Sequence, residues 1–72
     1  ENYRQKREET LVKLARKLAE RVIKYKRNIT LEPMSPYERK IIHSTLQHNK
    51  HVETFSIGEE PNRKVVIALK HR

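Results

Sequence analysis

The sequence predicts an α/β fold of the α+β type: two helices on a small three-stranded antiparallel sheet, in the order helix, strand, helix, strand, strand. Three observations carry this expectation. A run without Gly or Pro repeats apolar residues three and four apart, a serine cap with proline and glutamate opens a second such run, and two alternating segments flank a turn-rich connection.

From Tyr3 to about Lys26, Leu11, Leu14, Ala15, Leu18 and Val22 form the apolar stripe of an amphipathic helix. Val12, Ala19 and Ile23 widen it, while Lys13, Arg16, Lys17, Glu20 and Lys24 take the opposite face. A cationic last turn suits the helix dipole, and Asn28 is the residue expected to take the left-handed conformation that ends the helix. Ile29 and Leu31 then alternate with Thr30 and Glu32 as a short strand stopped by Pro33.

Ser35-Pro36-Tyr37-Glu38 sets a capping serine, a first-turn proline and a glutamate three residues after the cap, so a second helix starts here. It is expected to reach about His48 with Ile41, Ile42 and Leu46 inward. Val52, Thr54 and Ser56 alternate with Glu53, Phe55 and Ile57, and Gly58 to Asn62 turns the chain into a last strand, Arg63 to Leu69. Val65, Ile67 and Leu69 share one face of that strand and Val66 and Ala68 the other, so it is expected to be covered on both sides. Phe55 is expected in the core, and the Tyr37 ring against Pro33 and Met34.

At 72 residues the chain, 1–72, is expected to be a single domain with a thin margin of stability. It has no cysteine and four scattered histidines, so packing rather than disulfides or zinc must hold it together. Nothing resembles a signal peptide or a membrane span, and a cytoplasmic, monomeric domain excised from a longer protein is expected. Seventeen Lys and Arg against nine Asp and Glu give a formal charge of +8. That excess attracts polyanions, nucleic acid foremost, although it also serves plain solubility.

On the second helix, Arg39, His43 and Gln47 follow one another at four-residue steps and are expected to form an exposed ridge beside the apolar side. A guanidinium fork and an imidazole one turn away suit the oxygens of one phosphodiester. Spacing alone equally fits an Arg39 paired with Glu38, Glu53 or another acid, and a merely solvated His43.

Larger blocks add to this. Leu31-Glu32-Pro33-Met34, Glu38-Arg39-Lys40-Ile41-Ile42-His43 and the stretch Thr54 to Ile67 resemble successive blocks of the R-x-x-x-H (Arg, three residues, His) domain family. Pro-Met before the helix and Glu-Pro-Asn-Arg before the last strand resemble the branch at the carboxy end of a bacterial RNA-binding protein. The resemblance implies the same fold, binding of single-stranded RNA or DNA without catalysis, and a KH domain upstream. It implies Arg39 and His43 as phosphate contacts, Arg63 next, and Lys40 and Lys50 as extensions of the positive track. For Arg63 an ion pair with Glu59 or Glu60 is the plainer alternative. Where such sequences often carry glycine at the end of the first helix, this chain has Lys26-Arg27-Asn28.

No cofactor or metal site is expected: His43, His48 and His51 have no cysteine beside them. Ser44 points about 100° away from His43 on the helix, so no nucleophile meets a base, and no enzyme is expected. The alternative function is a protein-interaction module whose basic surface docks a partner protein.

Overall fold

The computed structural model describes residues 3–70. Its elements are α1 (Tyr3–Tyr25), β1 (Ile29–Thr30), α2 (Pro36–Leu46), β2 (Val52–Ile57) and β3 (Lys64–Leu69), in the order the sequence predicts. The sheet is antiparallel with β3 between β1 and β2.

In α1 the deepest residues are Leu11, Ala15, Ala19 and Val22, a stripe at helical spacing. Its small alanines let α1 lie close to its neighbours, α2 and β3. Leu14 and Leu18 flank the stripe toward the segment Ile29 to Met34, and Val12 and Ile23 flank it toward α2. The helix ends differently from the sequence expectation: Lys26, not Asn28, takes the left-handed backbone, with φ 57. Asn28 is committed elsewhere, its Oδ1 accepting from the Leu69 backbone N–H at 3.1 Å and tying the start of β1 to the end of β3.

β1 is only two residues long, yet its path beside β3 goes on: the Leu31 N–H donates to the Val65 carbonyl and the Met34 N–H to that of Arg63. The proline between them has no N–H to give, which stops regular pairing. α2 opens with a complete capping box, the Glu38 N–H donating to Ser35 Oγ and the Ser35 N–H to the Glu38 carboxylate. The same carboxylate accepts from Arg7 Nε at 3.0 Å, fastening α1 to α2. After α2, Asn49 Oδ1 accepts from the N–H groups of His51 and Val52, a side-chain turn that aims β2 back along the sheet.

Both helices lie on one face of the sheet. Val52, Val65 and Ile67 from that face join Ile41, Ile42 and Leu46 of α2 and the α1 stripe in one core. Val66 and Ala68, on the other face of β3, are also buried, with Val66 between Thr30 and Phe55 in the register. No described helix covers that face, so Phe55 is 44% exposed rather than in the core, and Ile57 42%. Tyr37 also departs from expectation, standing beside Glu8 and Val12 of α1.

Candidate nucleic-acid interface

The apolar side of α2 faces α1 and the core, so the next ridge round the helix faces β2 and the connection from β2 to β3, not water. Arg39 therefore departs from the exposed ridge: it is 8% exposed. Its Nη1 donates to the Met34 carbonyl at 3.0 Å and its Nη2 to the Glu60 carboxylate. Glu60 itself is half-exposed, so the pair is open to water on the carboxylate side only. The bond from Arg39 holds the Glu60 carboxyl below its usual range; desolvation opposes this, and the charges of Arg39 and Arg63 reinforce it.

His43, one turn on, is half-buried and bonded at both ring nitrogens. Nδ1 lies 2.6 Å from Thr54 Oγ1 and Nε2 3.2 Å from Ser56 Oγ. A hydroxyl either donates or accepts, so the two suit a neutral imidazole that donates from one nitrogen and accepts at the other. Burial lowers the His43 pKa below its ordinary 6.5, and the positive charges of Arg39 and Arg63 lower it further. At neutral pH the ring is uncharged, so it meets a ligand as a hydrogen-bonding group rather than as the cation the sequence suggested.

Arg63 sits at the end of the β2–β3 connection, half-buried. Its Nη1 donates to the Gly58 carbonyl at 2.5 Å, instead of pairing with Glu59 or Glu60. Gly58 holds φ 85, and a Cβ there would come within 3.3 Å of the Asn62 carbonyl oxygen, so this turn requires glycine. Arg39, His43 and Arg63 are thus brought together at one end of the sheet. Lys40 and Lys50 are not. Both are exposed, but Lys40 lies on the α1 side of α2 with Tyr37 and Ser44, and Lys50 precedes β2 at the opposite end of the strand.

Sequence reasoning missed Glu60, Thr54 and Ser56 as parts of this cluster. For the hydroxyls a signal existed: they share the inward face of β2 with Val52, where a purely structural strand carries apolar residues. Two polar residues in that register mark a polar contact between helix and sheet. Nothing local marked Glu60, which meets Arg39 across 21 positions.

Residues 9–69 match the R-x-x-x-H domain, the family named for its Arg and His three residues apart. Over 70 residues, 97% of the chain, it is 57% identical to RNA-binding protein KhpB of Clostridium symbiosum, covering 32% of that protein. The protein of the same name from Bacillus subtilis is 56% identical over 72 residues and is covered to 35%. For Streptococcus pneumoniae the figures are 44% over 66 residues and 20%. The chain thus spans about a third or less of the length of these relatives.

Proposed function

Since the chain belongs to the R-x-x-x-H domain family, we propose that it binds single-stranded nucleic acid, RNA foremost, through the sugar-phosphate backbone and with little sequence preference. The observation that carries this reading is the convergence of Arg39, His43 and Arg63, close enough that both guanidinium charges depress the imidazole, with Glu60 as the one carboxylate bonded to the cluster. A carboxylate and a phosphate offer a guanidinium the same kind of paired oxygens. Glu60 therefore occupies on Arg39 the place of a phosphate oxygen, and a strand reaches that guanidinium by exchanging with it. Arg63 exchanges its Gly58 carbonyl in the same way. The His43 ring, kept neutral by the two arginines, donates or accepts one hydrogen bond at the strand. Lys40 and Lys50 add long-range attraction from their separate positions.

The domain carries out no catalysis in this reading, and a KH domain upstream is the partner proposed within a longer chain. Among the described residues no helix is long and apolar enough to cross a membrane.

Binding of labelled single-stranded RNA, single-stranded DNA and duplex, titrated at several salt concentrations, tests the proposal. Arg63→Ala is expected to weaken single-strand binding and to lower the salt slope by about 0.7, the value for one phosphate. Glu60→Gln, which removes the competing charge, is expected to tighten binding severalfold. Unchanged affinity in both variants sinks the assignment.

A second reading has one observation in its favour. Phe55 and Ile57 leave apolar surface on the open face of the sheet, which suits a protein partner. Such a contact responds little to salt, and that separates the two.

A further inference from the structure

At the other end of the sheet, α1 closes in a stretch with four cations and no acid: Arg21, Lys24, Lys26 and Arg27. All four are exposed. Among the described residues the ion pairs engage Arg7 and Arg39, so this cluster keeps its charge. Arg21 and Arg27 stand with Tyr25, Asn28 and Ile29 around an open cleft of about 610 Å³. The Tyr25 ring is 62% exposed, and the Lys24 ammonium lies 5.4 Å from its centroid, within cation–π range.

A second observation comes from the backbone. Lys26 holds φ 57, a left-handed conformation that favours glycine and costs folding free energy in any residue with a side chain. The turn thus sacrifices stability to keep an ammonium between Tyr25 and Arg27.

We propose that this cleft is a second site for the same single strand, taking one phosphodiester on Arg21 and Arg27 and the face of a neighbouring base on Tyr25. The inference rests on the single-strand reading above. Guanidinium forks match phosphate oxygens, and an aromatic ring stacks on any base. The bond from the Leu69 N–H to Asn28 places the cleft beside the far end of β3, and β3 separates it from Arg63 by roughly 20 Å at the usual rise per residue. A strand held at both ends runs the length of the sheet, so affinity depends on its being long enough to reach.

Fluorescence anisotropy with labelled single-stranded RNA, across a salt series, tests this on the 72-residue chain. The double variant Arg21→Ala/Arg27→Ala is expected to bind about tenfold more weakly, with the salt slope reduced by about 0.7. Tyr25→Ala is expected to weaken binding of a natural strand but not of an abasic one. Lys26→Gly is expected to raise the melting temperature while weakening binding, opposite movements that a purely structural turn does not give. Should Arg63→Ala weaken binding while the double variant keeps native affinity and slope, this site is overturned and the first stands. Should the native chain hold no strand, both fall. Tighter binding of phosphatidylglycerol vesicles than of RNA, lost in the double variant, overturns the assignment in favour of a lipid surface.

Discussion

The two ends of the sheet carry arginines in opposite circumstances. Beside the β2–β3 connection, Arg39 is buried and bonded to the Met34 carbonyl and Glu60, and His43 has both nitrogens engaged. Beside the end of α1, Arg21 and Arg27 border an open cleft with no carboxylate bonded to them among the described residues. One end is organised, and its groups must give up a protein partner before they hold a ligand. The other is bare, and its groups lose only water. The family motif lies at the organised end, so a motif residue can be part of the architecture while unremarked neighbours hold most of the accessible charge.

Stability measurements break or sharpen this contrast most directly. Arg39→Ala leaves the Met34 carbonyl without its donor and Glu60 without its partner, and it is expected to cost about 1.5–3 kcal/mol in urea denaturation. Arg27→Ala, in the bare cluster, is expected to stay within about 0.5 kcal/mol. Equal losses would erase the distinction.

A smaller effect follows from pH. The folded chain lowers the His43 pKa, so the unfolded chain binds the proton more readily. Stability is therefore full above the unfolded value of about 6.5 and falls as pH drops through 6.5 toward the folded value. Glu60, also lowered, adds a loss that starts further into acid, below its ordinary 4.5. Urea midpoints between pH 7.5 and 5 are expected to decline in the native chain, and the decline is expected to flatten in His43→Asn. The same lowering carries over to binding: any gain in affinity from protonating His43 begins below pH 6.5, later than an ordinary histidine gives.

The smallest effect concerns the open sheet face. Phe55→Thr keeps a β-branched residue in the strand and removes half-exposed apolar surface, so it is expected to change stability by less than about 1 kcal/mol. A core phenylalanine loses far more on truncation, about 3–5 kcal/mol.

The fold was legible because its signals are local. Leu11, Ala15 and Val22 keep helical spacing, Ser35, Pro36 and Glu38 mark a helix start, and Gly58 to Asn62 mark a turn. What escaped was decided between distant segments. Periodicity assigns apolar residues inward and leaves polar ones for water, so it placed Arg39 outside, whereas Glu60 and the Met34 carbonyl give that guanidinium buried partners. Alternation placed Phe55 on the face opposite Thr54 correctly, but not whether anything covers that face. Asn28 has the better left-handed propensity, yet the Leu69 N–H claims its side chain, and the helix turns two residues earlier at Lys26.

The uncovered face of the sheet ties colloidal behaviour to ligand occupancy. Phe55 and Ile57 lie on a strand whose outer edge pairs with no other described strand, the kind of surface along which copies of a protein adhere. A charge of +8 holds such copies apart in dilute salt. A bound polyanion cancels that repulsion, so a long strand coated with this domain brings the sticky faces of adjacent molecules within reach of one another.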